Sequence, residues 1–155
     1  MTEFSVFYKL NYNKTFYYLK SLSGSSDLAE ELTQETFFRA IQYILTTKGT
    51  CYNTSWLLKI AYNLFIDYVR KNRIKLDNIE DFEIESKKVW RIEEALDLNN
   101  QLNKLPVRYK TAILLKDYFG FSYGEISNIL NCSLSTVKVI LYRARKKLRE
   151  DLTDE

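Results

Sequence analysis

A chain of 155 residues with only four glycines and one proline has few places to interrupt a helix. These two residues are the strongest local breakers, so long stretches without them predict helices. The clearest early break is Ser23-Gly24-Ser25-Ser26. Before it, Phe4, Phe7, Tyr8, Tyr12, Phe16 and Leu19 recur at helical spacing over residues 3 to 22. After it, Ser26 or Asp27 can cap a second helix that runs to about Leu45. Glu30 and Glu31 then lie in its first turn, where acids suit the positive end of the helix dipole. Leu28, Leu32, Phe37, Ile41 and Ile44 make its apolar face. A polar loop from Thr46 to Thr54 leads into a third helix, from about Ser55 to Arg73. Its apolar positions include Trp56, Leu57, Ile60, Leu64 and Val69, and it ends in the bases Arg70, Lys71, Arg73 and Lys75.

The composition then changes. Leu76 to Glu94 carries seven acids against three bases, which marks an interdomain linker, although Val89 to Leu98 can already be helical. Beyond Pro106 a helix is predicted from Val107 to Phe119, ended by Gly120. Ser122-Tyr-Gly-Glu125 has capping-box spacing and opens a short helix to Leu130. Asn131-Cys132-Ser133 makes a turn, and Ser133 caps a last helix from Leu134 to Glu150. Two helices, a tight turn and a basic second helix make a helix-turn-helix pattern. The fold class expected is all-α: two small helical domains joined by an acidic linker, with a helix-turn-helix in the C-terminal domain. The boundaries are residues 1–75, 76–94 and 95–155.

Composition excludes several function classes. The chain has no His, which removes Ser-His-Asp and Cys-His catalysis and every His-containing metal site. No metal site and no cofactor are expected. Cys51 and Cys132 form no CxxC, which suits a reducing cytosol and excludes a disulfide scaffold. No apolar run approaches the about 20 residues that a membrane span needs, and the N-terminus does not read as a signal peptide. A soluble, cytoplasmic protein is the expectation. The net charge is only +3, so any nucleic-acid site must come from local clustering.

The last helix supplies that cluster. At about 100° per residue, Leu134, Val137, Leu141, Ala144 and Leu148 fall on one stripe, the expected packed face. Ser135, Val139, Tyr142, Arg143 and Lys146 point away from it, with Thr136 and Lys138 on the flanks. Lys138, Arg143, Arg145, Lys146, Lys147 and Arg149 occur with no acid between Glu125 and Glu150, a footprint for a phosphate backbone. A solvated basic face on a packing helix is the alternative. In a helix-turn-helix the N-terminal half of the second helix meets base edges, which assigns reading to Ser135, Thr136, Val139 and Arg143 and phosphates to Lys138 and the later bases.

Three segments together resemble the extracytoplasmic-function (ECF) sigma factors of the sigma-70 family. Ala29 to Ala40, AEELTQETFFRA, is similar to the family's AEDLxQETFxRA. Ser55 to Arg70 is similar to its WLxxIAxNxxxDxxR segment. Leu105-Pro106-Val107-Arg108-Tyr109, Phe121 to Ile126, and Ser135 to Lys138 followed by Leu141 to Arg145 resemble its C-terminal domain. The order and spacing are the family's, and a linker falls where the family has one. The resemblance implies an N-terminal domain that binds core RNA polymerase and opens the −10 element, and a C-terminal domain that meets the −35 element in the major groove. It places Glu31, Gln34, Glu35 and Phe38 at the polymerase. It places Tyr52, Asn53, Lys59, Tyr62, Asn63 and Arg70 at the −10 single strand, where polar groups, aromatics and bases are the residue types that capture needs. Trp56 is expected in the core. Arg143 matches the family position that meets −35 bases; Tyr142, Lys146 and Lys147 complete the −35 set by their outward place on the helix. Where the family commonly has Thr-Val-Lys-Ser-Arg-Leu, this chain has Thr136-Val137-Lys138-Val139-Ile140-Leu141, which bears on the −35 preference. Lys71 and Arg73 partly replace the arginines usual near the end of the third helix.

The implied partners are core RNA polymerase, promoter DNA and an anti-sigma factor, without membrane insertion. The protein would associate with the nucleoid in holoenzyme or be held at the membrane by the anti-sigma factor. Negative charge on the linker suits a path through a polymerase channel; a tether kept soluble by charge is the alternative. Two other functions compete. A helix-turn-helix regulator would need a dimerisation or ligand domain, and the first half has no obvious pocket or coiled coil. A nucleic-acid enzyme would need clustered acids for metals or a nucleophile–base pair, whereas the acids here gather in the linker.

Overall fold

The computed structural model describes residues 3–48, 53–75 and 102–153, with only the backbone described at 73–75 and 151–153. The expected linker and Tyr52 lie outside the described residues. The chain divides into two compact units, Met1–Ile79 and Glu80–Glu155. Every described element is helical, and none is long and apolar enough to cross a membrane.

The first unit holds α1 (Glu3–Ser23), α2 (Ser26–Thr47) and α3 (Thr54–Lys75), each packed against the other two. Phe7, Phe37, Ala40 and Leu57 form one buried cluster, with Phe4, Tyr12, Trp56 and Ile60 against it. Phe37 lies at its centre, with ring centroids 4.7 Å from Tyr8, 6.4 Å from Phe7 and 6.5 Å from Phe4. The break between α1 and α2 falls where the sequence predicts it, but the cap is Ser25, not Ser26 or Asp27. Gly24 takes a left-handed φ of 71°, which turns the chain early and leaves Ser25 extended. The Ser25 hydroxyl then accepts from the Leu28 N–H at 3.2 Å.

One proposed DNA contact is displaced by this packing. Tyr62 is only 7% exposed, because it falls on the inner stripe of α3 with Leu57, Leu58, Ala61 and Phe65. It lies beside the fully buried Tyr18, whose phenol is pushed well above its ordinary pKa by burial and further by Tyr62. The assignment of Tyr62 to the single strand is corrected accordingly: the ring is core. Trp56 is half-buried, as expected for a core residue, and meets the Tyr43 ring at 5.6 Å.

The second unit holds α4 (Val107–Ile113), a π-helical turn over Leu114–Tyr118, α5 (Tyr123–Leu130) and α6 (Leu134–Thr153). The sequence predicts one plain helix from Val107 to Phe119. The wider turn appears instead, closed by the Phe119 N–H donating to the Leu114 carbonyl at 3.0 Å. Apolar periodicity carries no signal for it. Gly120, at φ 74°, ends the segment, and the Ser122–Glu125 capping box forms as predicted, with both bonds at 3.1 Å. Asn131 closes α5 in the left-handed region, and the Ser133 hydroxyl accepts from the Thr136 N–H at 3.2 Å to start α6.

The packed face of α6 is rotated from the expected stripe. Val137, Leu141 and Ala144 are buried, but Leu134 is 46% exposed, Leu148 is half-buried and Ile140 is buried at 5%. Leu134 starts the helix, one residue past the capping turn, where α4 and α5 no longer cover it.

Lys110 on α4 is 5% exposed, and its ammonium donates to Asn103 Oδ1 at 2.6 Å. Desolvation lowers its pKa from 10.5 to about 7. Between those values the unfolded chain binds more protons than the native one, so this group makes stability rise with pH across that window. Replacing Lys110 with Met is expected to flatten that rise. Parallel thermal melts of the two proteins between about pH 6 and about pH 9.5 check it: equal slopes for both would contradict the buried amine.

Candidate nucleic-acid and polymerase interfaces

On α6, burial of Val137, Ile140, Leu141 and Ala144 leaves a continuous outer face. Ser135, Lys138, Val139, Tyr142, Arg143, Lys146 and Lys147 are all exposed on it, and Thr136 is partly so. Val139 and Tyr142 are 44% and 64% exposed. At the start of the helix the Ser133 hydroxyl bonds those of Ser135 and Thr136, at 3.1 and 2.7 Å. The cap therefore orients two of the candidate base readers.

Two features of this surface were not legible in the sequence. Arg145, one of the six bases, turns aside to pair with Asp117 in the π turn at 2.8 Å. Lys138 and Lys116 both place their ammonium groups over the Tyr123 ring, at 5.7 and 4.6 Å from its centroid. Lys116 also donates to the Phe121 carbonyl at 3.3 Å. These contacts join residues 5 to 28 positions apart, so no local apolar spacing announces them.

In the first unit the described −10 candidates lie along α3. Asn53 precedes it, exposed, and its Oδ1 accepts from the Trp56 N–H at 2.7 Å and the Ser55 hydroxyl at 2.9 Å. Asn53 is thus a helix cap as well as a candidate DNA contact. Lys59 is partly exposed and Asn63 exposed on the outer side of the helix. Arg70 is exposed and ion-paired with Asp67 one turn back.

On α2 the residues assigned to polymerase share one face at i, i+3, i+4 and i+7 spacing. Glu31 and Gln34 are exposed, Phe38 is 54% exposed, and Glu35 is partly exposed and pairs with Arg39 at 3.1 Å. The opposite face buries Leu28, Leu32, Thr36 and Phe37. Leu45, at 72% exposure, extends the apolar part of the outer face by two further turns beyond Phe38.

Comparison with known proteins agrees with this layout. Residues 7–74 match Sigma-70 region 2, and residues 95–148 match Sigma-70, region 4. The ECF RNA polymerase sigma factor SigM of Bacillus subtilis is 31% identical over 148 residues, covering 92% of this chain and 90% of SigM. The chain belongs to the ECF RNA polymerase sigma factors. A second relative, the RNA polymerase sigma factor SigV of the same organism, is 34% identical over 145 residues, covering 93% of this chain and 85% of SigV. Among solved structures, the sigma factor RpoE of Bartonella quintana, crystallised with the anti-sigma factor NepR, is 27% identical with a TM-score of 0.76, covering 99% of this chain and 98% of that one.

As a sigma factor, the chain binds core RNA polymerase and directs promoter-specific initiation through the −10 and −35 elements. Against that family, the substitution of Val139 and Ile140 for the usual Ser-Arg pair resolves into two different effects. Val139 is on the outer face, while Ile140 is in the core of its unit. Ile140→Ala is therefore expected to cost about 2–4 kcal/mol, in the range of large-to-small core substitutions. Val139→Ala, at an exposed site, is expected to change stability by under about 0.5 kcal/mol. Denaturant melts of both variants check the contrast, and similar costs would contradict the rotated face.

Proposed function

We propose that the exposed face of α6 is the −35 reading surface of this sigma factor, and that the two units divide promoter recognition between them. Residues 1–75 bind core polymerase and melt the −10 element, residues 76–94 connect, and residues 95–155 read the −35 element. The observation that supports this most is the partition of α6: Lys138, Arg143, Lys146 and Lys147 stand outside with Ser135, Thr136, Val139 and Tyr142 while Val137, Ile140, Leu141 and Ala144 are buried. Arg143 would meet base edges, with Ser135, Thr136, Val139 and Tyr142 beside it, and Lys138, Lys146 and Lys147 would hold phosphates. At the −10 strand the reading keeps Tyr52, Asn53, Lys59, Asn63 and Arg70 and drops Tyr62. At polymerase it keeps Glu31, Gln34, Glu35 and Phe38. The chain supplies recognition and no catalytic group; polymerase performs the chemistry. It works in the cytoplasm, and an anti-sigma factor restrains it, a pairing supported by the RpoE–NepR complex.

The two kinds of contact on α6 separate by experiment. An Arg fork to guanine O6 and N7 is worth about 1–3 kcal/mol of discrimination, whereas a phosphate contact is indifferent to sequence. Arg143→Ala is expected to flatten preference at one −35 position. Lys147→Ala is expected to weaken all promoters alike and lower the salt slope by about one. Holoenzyme binding to a panel of single-base −35 variants, at several salt concentrations, distinguishes them. An equal loss on every variant for Arg143→Ala would make Arg143 a phosphate clamp.

At polymerase, Glu35→Lys is expected to weaken core binding about tenfold or more, the loss for a charged interface contact replaced by its opposite. Because Glu35 also pairs with Arg39 on its own helix, Arg39→Ala is the control. If Arg39→Ala reproduces the loss in a core-binding titration, the effect arises within α2 and the interface assignment fails.

A further inference from the structure

A buried amide links the first helix to the start of the third. Asn11 on α1 is 5% exposed. Its Nδ2 donates to the Phe7 carbonyl at 3.0 Å, and its Oδ1 accepts from the Thr54 hydroxyl at 2.6 Å. The carbonyl of Phe7 can only accept, which fixes the amide orientation and leaves Oδ1 facing Thr54. Thr54 is the first residue of α3, and its neighbour Asn53 caps that helix through the Trp56 N–H. Two adjacent side chains thus divide the work at one point. Asn53 ties the incoming chain to α3, and Thr54 ties α3 to α1, 43 residues away.

This point carries functional weight because Asn53 sits at it and Lys59 and Asn63 follow along the same helix. We propose that Asn11 and Thr54 are positioning residues for capture of the −10 single strand. Their bond fixes the start of α3 against α1, and so the placement of its cap Asn53 on the unit. The inference rests on the assignment of Asn53 and Asn63 to the strand. Neither Asn11 nor Thr54 needs to touch DNA. A small displacement of capturing groups weakens binding without removing any contact residue. Because Asn11 is 5% exposed, loss of the Thr54 donor costs more than at a solvated amide.

The test uses the full chain assembled with core polymerase. Thr54→Val removes the hydroxyl and keeps the volume, Thr54→Ser restores a hydroxyl, and Asn11→Leu removes the acceptor. Three quantities are read: affinity for core polymerase, affinity for a single-stranded −10 oligonucleotide, and opening of duplex promoter followed by permanganate reactivity. Thr54→Val is expected to lower oligonucleotide affinity and opening about 3- to 10-fold, the effect of one lost hydrogen bond, with core affinity unchanged. Thr54→Ser is expected to recover most of it. Adding Asn11→Leu to Thr54→Val is expected to cost little more, as coupled partners require. Should Asn11→Leu prove unfoldable, the Thr54 pair carries the test alone. Asn63→Ala separates the two levels of the argument. If Asn63→Ala weakens capture and Thr54→Val does not, the positioning role is overturned while the strand assignment stands. If neither variant affects capture, the strand assignment fails and the positioning role with it. If Thr54→Val lowers only the melting temperature, the bond is a packing tie and the inference is overturned.

Discussion

Burial of Val137, Ile140, Leu141 and Ala144 is the constraint on which the DNA-facing surface depends. Each residue of a helix advances about 100°, so fixing four inner positions fixes the direction of every other side chain. Fully burying one aliphatic side chain contributes about 1.5–3 kcal/mol, while an exposed contact on the outer face contributes a fraction of that. Packing therefore wins, and the outer face follows from it. Ser135, Lys138, Val139, Tyr142 and Arg143 are presented together because the helix cannot roll without exposing its aliphatic residues. The turn before it holds the other end: Asn131 in the left-handed region and Ser133 as cap set where the helix starts.

The first unit applies the same logic through aromatics. Phe37 is 4% exposed and lies among Phe4, Phe7, Tyr8 and Tyr12. Its neighbour Phe38 is 54% exposed. Adjacent residues on a helix point about 100° apart, so anchoring Phe37 inward turns Phe38 outward, together with Glu31, Gln34 and Glu35. This puts an exposed aromatic, of the type enriched at interfaces, on the face proposed to meet polymerase. In α2 a core contact and the proposed polymerase contact are thus two consequences of one rotation.

Most of this order was legible in the sequence where the period of apolar residues was long and clean. The helices, the Ser122–Glu125 box and the Ser133 cap followed from spacing and cap chemistry alone. The departures have separate physical causes. Ser25 caps α2 because the left-handed Gly24 turns the chain early, an effect that pattern counting does not weigh. The π turn at Leu114–Tyr118 changes the hydrogen-bond partner without changing residue type. Tyr62 looked like a stacking group because an amphipathic ring suits both a core and a base; burial beside Tyr18 decides the matter, and only tertiary packing supplies that. The tie from Asn11 to Thr54 spans 43 residues and has no sequence signature at all.

The electrostatics show why a weakly charged protein can still present a strong nucleic-acid surface. Residues 134–149 carry six bases and no acid, against a net charge of +3 for the whole chain, so everything else sums to −3. A large share of the positive charge is thus gathered on this one helix. Charges are screened over about 8–10 Å at physiological salt, which is shorter than the length of α6, so a polyanion near this helix is governed by its local charge more than by the chain's total. The Asp117–Arg145 pair refines that field. Both side chains are about half exposed, at 53% and 42%, so the pair contributes only about 0–1 kcal/mol to stability. Its larger effect is directional. It neutralises Arg145, which leans toward the π turn, while Lys138, Arg143, Lys146 and Lys147 stay exposed on the outer face. A phosphate backbone would thereby be drawn to the face that carries the proposed base-reading side chains, because the rotation of α6 that buries Val137, Ile140, Leu141 and Ala144 turns both sets outward together.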